Sequence, residues 1–395
     1  MEQSWRWFGP EDPIRLTDIA QTGAEAIVTA LHDIPYGEVW SEAAIAERQA
    51  IIARDTPALR WRVVESLPIH EDIKRGAGKL GPLFDNYRAS LRNLAQRGLR
   101  TICYNFMPIL DWTRTDLRVA VAGGGNALRF DACHIAAFDC FMLARPDAEA
   151  DHAPDVLAKA RAWFGASSES ARDTLLSAIM AGLPGAYDRY DIPGLRRMLA
   201  SYAGIDRAAL RQNFARFLTE VVPTAEACGI RLCVHPDDPP RPLFGLSRIV
   251  STEDDIRFIL DAVPSVANGL TLCTGSLGAG AANDVAGIAR RFADQVGFAH
   301  LRNVAKEPDG SFTEAAHLNG DVPMVEVIRT LLAAEERRRA AGDPLWRIPM
   351  RADHGHELLD DAARRTHPGY PLVGRLRGLA ELRGVMAALG PVSAA

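Results

Sequence analysis

Four short apolar runs in the second half of the chain each end on a residue type that binds metals well. They are Leu232-Cys-Val-His235, Leu270-Thr-Leu-Cys273, Gly297-Phe-Ala-His300 and Ile348-Pro-Met-Arg-Ala-Asp353. Two imidazoles, a thiolate and a carboxylate together make a site for a divalent transition metal, and the soft thiolate leans towards Zn²⁺ or Fe²⁺ over Mg²⁺ or Ca²⁺. Alone, each residue reads more plainly: a His as a hydrogen-bonded side chain, a strand Cys as packing. Alternation is what favours one shared site, because every second residue of a strand points the same way. If His235 faces a barrel axis, so do Cys233 and Arg231; Thr271 then goes with Cys273, Phe298 with His300 and Arg302, and Arg351 with Asp353. The interleaved Leu232, Val234, Leu272, Ala299, Leu301, Met350 and Ala352 are all apolar, as positions facing helices must be.

Asp353 runs into His354-Gly-His356, and the chain continues to His367-Pro-Gly-Tyr370. A His beside a metal is a natural general acid or base, and a Tyr can be one if its pKa is lowered, so His354 and Tyr370 are the acid–base candidates. His356 and His367 are expected to face solvent. A second loop, Tyr104-Asn-Phe-Met-Pro-Ile-Leu-Asp-Trp-Thr-Arg-Thr-Asp116, brings Asn105, Asp111, Trp112 and Arg114 to a strand end, as a surface for a polar substrate would. With Arg302 and the metal, Arg114 would suit a carboxylate. Two glycine-rich stretches are set aside. Gly275-Ser-Leu-Gly278-Ala-Gly280 has the dinucleotide-turn spacing reversed, and Gly76-Ala-Gly-Lys79 lacks the phosphate-loop spacing and its Ser or Thr.

The elements that must carry these residues are legible as eight β-like runs: Trp5–Phe8, Ala26–Leu31, Trp61–Leu67, Thr101–Phe106, Arg231–His235, Leu270–Cys273, Gly297–Arg302 and Ile348–Asp353. Helical periodicity fills the gaps at Ala43–Asp55, Asn86–Gly98, Ala208–Cys228, Thr252–Ala262, Asn283–Val296 and Met324–Ala341, with Gly98 and Gly229 placed to end helices. Strands alternating with helices predict an α/β fold with a parallel sheet, and eight such units predict a (β/α)8 TIM barrel whose active site lies at the C-terminal strand ends. The long stretch between the fourth and fifth runs is read as an insertion over about 115–205. It comprises a hairpin over Arg118–Asp131, turning at Gly123-Gly-Gly-Asn126, then an Ala-rich helical part broken by Pro184 and Pro193, serving as a lid or subunit contact. The barrel is expected to take up residues 1–395 as one domain, with Gly390–Ala395 as a loose tail.

Composition excludes several classes. Of 395 residues, 45 are Lys or Arg and 50 Asp or Glu, a net charge of −5 with no basic block, so neither nucleic acid nor an anionic membrane is expected as partner. The first residues carry neither a basic nor an apolar leader segment, and no apolar run reaches the length of a membrane span. The six cysteines form no C-x-x-C pair, which points to the reducing cytoplasm.

A set of longer motifs resembles the mannonate dehydratase family: Arg6-Trp-Phe-Gly9, Val28-Thr-Ala-Leu-His32, Val64-Glu-Ser-Leu-Pro-Ile-His70, Tyr104-Asn-Phe-Met-Pro108, Asp111-Trp-Thr-Arg-Thr-Asp116, Val234-His-Pro-Asp-Asp-Pro-Pro240, Leu272-Cys-Thr-Gly-Ser276, His300-Leu-Arg302, Ala316-His-Leu-Asn-Gly-Asp321 and Asp353-His-Gly-His356. The resemblance runs to Gly384. It implies a xylose-isomerase-like barrel that dehydrates D-mannonate to 2-dehydro-3-deoxy-D-gluconate in hexuronate (glucuronate) breakdown. It implies Mn²⁺ or Fe²⁺, one per chain, on His235, Cys273, His300 and Asp353. It further implies acid–base work at His354 and Tyr370, substrate contacts that include His32, and a homo-oligomer of two or more chains. Two departures bear on substrate contact: Phe8 stands where relatives carry Tyr, and Gly280 where they carry a basic residue. The rival readings are a metal-dependent sugar isomerase or epimerase on the same barrel, and a non-catalytic barrel that binds sugar acids.

Overall fold

The computed structural model describes residues 1–182 and 190–390. Eight parallel strands close into a barrel: β1 (Glu2–Arg6), β2 (Ala26–Thr29), β3 (Arg60–Glu65), β4 (Thr101–Tyr104), β7 (Arg231–Val234), β8 (Asn268–Cys273), β9 (Val296–Leu301) and β12 (Pro349–Ala352). Their order around the ring is β1-β12-β9-β8-β7-β4-β3-β2. All eight predicted runs are strands, though the first lies earlier than expected. Glu2 pairs with Pro349 and Ser4 with Ala26, so the paired ladder runs to Arg6, and the Trp7 N–H closes it on the Val28 carbonyl (2.9 Å). The register sets Cys273 beside His300 and His300 beside Arg351, so the candidate residues meet on neighbouring strands.

The alternation holds. Val28, Val63, Cys103, Cys233 and Phe298 pack together as an inner plug, whereas Leu232, Val234, Leu272, Ala299, Leu301, Met350 and Ala352 join the core under the outer helices. That outer core is built from amphipathic helices such as Glu42–Asp55, Leu80–Gln96, Arg207–Ala227 and Glu253–Ala262. Ser41, Asp206 and Thr252 cap three of these by accepting from backbone N–H groups of the first turn. Gly98 (φ +81°) and Gly229 (φ +62°) stop two of them in the left-handed conformation, with Leu99 and Ile230 bonding back to Leu94 and Ala225. The sequence reading did not anticipate the helices Leu16–Gln21, Glu71–Arg75 and Leu372–Leu389.

The insertion after β4 begins with the expected antiparallel hairpin, β5 (Asp116–Ala120) and β6 (Asn126–Phe130). A second hairpin, unanticipated, follows β9: β10 (Asn303–Lys306) and β11 (Phe312–Ala315), turning near Gly310. Phe312 pairs with Phe130, which joins the two hairpins into a sheet of order β10-β11-β6-β5. Helices Pro154–Ala166, Glu169–Ile179 and Ile192–Ala200 complete the insertion over a second apolar core that includes Phe130, Phe138, Leu195, Phe244 and Phe312. Pro193 opens a helix in its first turn, where a missing N–H costs nothing, and so does not break one. Pro184 and the tail beyond Gly390 lie outside the described residues. Among the described residues no helix is long and apolar enough to cross a membrane.

Candidate active site

The candidate ligands sit at or next to the C-terminal ends of their strands, with His300 one residue inside the end of β9. His235 still donates its backbone N–H to the Tyr104 carbonyl (2.7 Å), but Pro236, Pro239 and Pro240 have no N–H with which to extend the ladder. Cys273 is the last residue of β8 and caps the short helix Thr274–Gly278, and Asp353 follows β12 directly. The ligand atoms of His235, Cys273 and His300 lie within 4.8 Å of one another. His235 Nδ1 sits 2.6 Å from the Pro236 carbonyl, so that nitrogen carries the proton and Nε2 presents its lone pair. His235 Nε2 faces His300 Nδ1 at 3.1 Å, while His300 Nε2 is buried without a hydrogen-bond partner and lies 3.5 Å from Glu65 Oε2. Asp353 Oδ2 stands 3.8 Å from Cys273 Sγ and 3.9 Å from His300 Nδ1.

These residues fit a metal. Ligand atoms held about 2.0–2.3 Å from one ion stand roughly 3–4 Å from each other, the spacing found here. The electrostatics point the same way. Burial works against a Cys273 thiolate, yet the Arg302 guanidinium and His235 outweigh it and hold the thiol well below its usual range. Ser276 Oγ donates to Sγ at 3.0 Å. Asp353 is likewise held well below the carboxylate range, against burial, by Arg351, His354, His300 and Arg302. His235 is pushed up to about 9: burial opposes its charge, but the Cys273 thiolate, Asp353 and Glu65 prevail. A cation here would take over the role that the proton plays in those shifts.

His354 and Tyr370 stand beside the cluster, their rings edge to face with centroids 5.0 Å apart. His354 Nδ1 and Arg302 Nη1 both point at Glu314 Oε1, the former at 3.0 Å, so Nδ1 donates and Nε2 is the free nitrogen. Tyr370 is buried between the Arg351 and Arg375 guanidiniums. Burial, reinforced by the Asp353 charge, raises its phenol, the opposite of the lowered pKa a tyrosine base would need. His356 and His367 are half-buried rather than solvent-facing: His356 Nε2 reaches the Glu314 carbonyl (2.9 Å), and His367 packs on Phe8 (4.3 Å between centroids).

Two adjoining chambers open beside these groups. A metal-side chamber is lined by Glu65, Trp112, His235, Asp353, His354 and Tyr370. A distal chamber is lined by Arg6, His32, Tyr36, Glu71 and Lys74. Ser66, Asn105 and Asp111 belong to both walls. Asn105, Asp111 and His32 are thus placed at the cavity, with Asn105 donating to Asp111 (3.2 Å). Arg114 and Arg302 are not. Arg114 binds both oxygens of Asp238 (2.8 and 3.2 Å) and Glu314 (2.7 Å), Arg302 binds the same two acids, and neither arginine lines either chamber. Both guanidiniums are thus engaged with buried acids inside the protein, and Arg302 also lies 3.2 Å from Asp353. A mostly apolar groove between the insertion and the Phe244–Leu246 loop after β7 is lined by none of the candidate residues.

Sequence reasoning missed Glu65, Arg6 and Glu314. Glu65 was within reach, since an acid ending the apolar run Val63-Val64 must be aimed at something. Arg6 was visible only as part of a motif. Glu314 gave no signal, because it lies on the unanticipated hairpin.

Comparison with known proteins bears on the whole chain. A family model described as D-mannonate dehydratase (UxuA) matches residues 1–394. A relative from Chromohalobacter salexigens named mannonate dehydratase is 56% identical over 390 residues, covering 98% of this chain and 99% of its own. Another from a Marinomonas species, with the same name, is 50% identical over 386 residues, covering 98% of each. The crystal structure of mannonate dehydratase from Streptococcus suis serotype 2 matches with a TM-score of 0.76 at 30% identity, over 98% of this chain and 93% of that one.

Proposed function

The chain belongs to the D-mannonate dehydratase family, and from that premise we propose that its barrel mouth removes water from D-mannonate to give 2-dehydro-3-deoxy-D-gluconate, a hydro-lyase step of hexuronate breakdown. The observation that carries the mechanism is that His235, clustered with Cys273 and His300, lines one chamber with Asp353, His354 and Tyr370. His235, Cys273, His300 and Asp353 would hold one Mn²⁺ or Fe²⁺. Bound there, it supplies Lewis-acid stabilisation for the charge that builds on the substrate carboxylate as C2 is deprotonated.

The chain's own residues divide the proton work. Elimination needs the C2–H bond broken by a base and the C3–O bond broken with a proton delivered to the departing hydroxyl. His354 Nε2 is the base: Glu314 accepts from Nδ1, fixes the ring and stabilises the imidazolium that forms. Tyr370, held protonated by burial, is the acid. The enol left behind, with its C2=C3 double bond, tautomerises to the 2-keto-3-deoxy acid, and the proton on His354 returns to Tyr370 through solvent. Asn105, Asp111 and His32 meet the substrate's hydroxyls along the chamber walls.

Six cysteines with no disulfide among the described residues support a cytoplasmic setting, and a homo-oligomer belongs to the same reading. Incubating metal-loaded protein with D-mannonate should yield a 2-keto-3-deoxy acid; its absence with a full metal complement would refute the dehydration.

A further inference from the structure

We propose that Arg6 reads the far end of the substrate: its guanidinium binds hydroxyl oxygens at C5 and C6 of the sugar acid and makes the six-carbon chain the preferred one. This rests on the dehydration reading and deepens it.

Arg6 ends β1 and is only 2% exposed, yet it lines the distal chamber. One nitrogen, Nη2, is engaged by His32 Nε2 at 3.1 Å. Its other two, Nε and Nη1, are buried with no hydrogen-bond partner. The nearest carboxylate, Glu65, is 3.6 Å from Nη1, and Arg351 already binds both of its oxygens (2.8 and 3.1 Å). Burying guanidinium donors unmet is costly, and such a group keeps its place where a ligand supplies the acceptors. The guanidinium is also aimed: it lies over the Phe8 ring (4.9 Å) and is steadied by His32.

Position decides which part of the ligand it meets. Glu65 lies between Arg6 and the candidate ligand His300, so Arg6 stands one carboxylate beyond the metal side. A sugar acid held by its C1–C3 end beside His354 and Tyr370 must run its tail past Ser66, Asn105 and Asp111 into the distal chamber. The tail fits as a neutral polyol. The chamber's other cation, Lys74, is satisfied by Glu71 (2.6 Å) and the Met107 carbonyl (2.8 Å), and Glu71 also accepts from Tyr202 (2.5 Å). With Asp111 also in the wall, the lining carries acids as well as cations, and Arg6 offers donors to hydroxyl oxygens without calling for a second carboxylate.

The test compares D-mannonate with a four-carbon aldonate of the same C2 and C3 configuration, which keeps the reacting carbons and lacks C5 and C6. The wild type should prefer the six-carbon acid. Arg6→Met should lower kcat/KM on D-mannonate on the order of 10–100-fold, and the six-to-four-carbon ratio should fall by at least about tenfold, with Arg6→Lys recovering part of it. Equal losses on both acids would mean that Arg6 acts through Glu65 and overturn the proposal, as would no loss on either. If Arg6→Met does not fold, a wild type indifferent to chain length overturns it alone. Calorimetric binding of both acids supplies the same comparison without turnover. Arg6-dependent binding of D-mannonate with no keto acid formed would sink the dehydration reading and leave the anchor standing.

Discussion

One pleat step separates the two layers of this barrel's interior. Val28, Val63, Cys103, Cys233 and Phe298 form the fully buried floor, and the residues two further along the same strands are Ala30, Glu65, Asn105, His235 and His300. Two residues along a strand is about 6.6–7 Å, so a dry apolar layer lies directly under a mostly polar, ionisable one. The contrast shows how the floor serves the site. By keeping water out from below, it leaves ionisable groups above dependent on one another, and the Cys273, Asp353 and Glu65 shifts follow from neighbouring cations prevailing over burial. Phe298 makes the connection physical, its ring edge to face with His300 at 4.6 Å.

Substitutions in the upper layer should change chemistry and those in the floor stability. The largest effect is expected from Asp353→Ala or His235→Ala, which should abolish both metal content and turnover; full activity in either variant after chelation would remove that residue from the site. Next comes Glu314→Ala. It leaves Arg114 and Arg302 short of a buried partner and His354 without its acceptor, which should cost about 3–5 kcal/mol and lower kcat more than KM changes. Glu314 also has a signature in pH. Arg302, His354 and Arg114 overcome burial and hold its carboxyl at about 2, below the ordinary 4.5. Its contribution to stability is therefore complete above about 4.5 and lost as pH falls towards about 2. Tm measured from neutral pH down should fall more gently in Glu314→Gln than in the wild type. Smaller again is Phe298→Leu in the floor, costing well under the about 3–5 kcal/mol of a full truncation to Ala while metal stays bound. Loss of metal there would show that the two layers are not separable.

The layering was largely legible in the sequence because it is a period-2 pattern read on strands buried on both faces. The charges above it were legible only in part. Cys273, His300 and Asp353 end apolar runs, which marks them; Arg114 and Arg302 look the same in sequence whether they meet a substrate or an acid. The structure pairs Arg114 with Asp238, 124 positions away, and with Glu314, 200 positions away, distances no local pattern reports. Glu314 depends on a hairpin whose strands are four residues each, too short for periodicity to mark. Arg6 was hidden for a related reason: the first strand was placed too late, which hid Arg6 as the last rung of the ladder and its aim into the mouth.

The smallest expected effect tests whether the insertion belongs to the upper layer at all. Tyr202, next to the helix Ile192–Ala200, donates its hydroxyl to Glu71 at 2.5 Å, and Glu71 with Lys74 forms part of the distal chamber wall. This is a charge-assisted bond from the insertion to the rim, in a group that burial and the Glu71 charge keep protonated. Tyr202→Phe removes the bond while Lys74 and the Ile109 N–H continue to satisfy Glu71. It should therefore cost only about 1 kcal/mol in stability. If the insertion holds the chamber wall in shape, KM for D-mannonate should rise while kcat stays, because His354 and Tyr370 are untouched. A fall in kcat with KM constant would instead mean that the insertion governs the metal side, and the division of the mouth into a reacting half and a reading half would have to be redrawn.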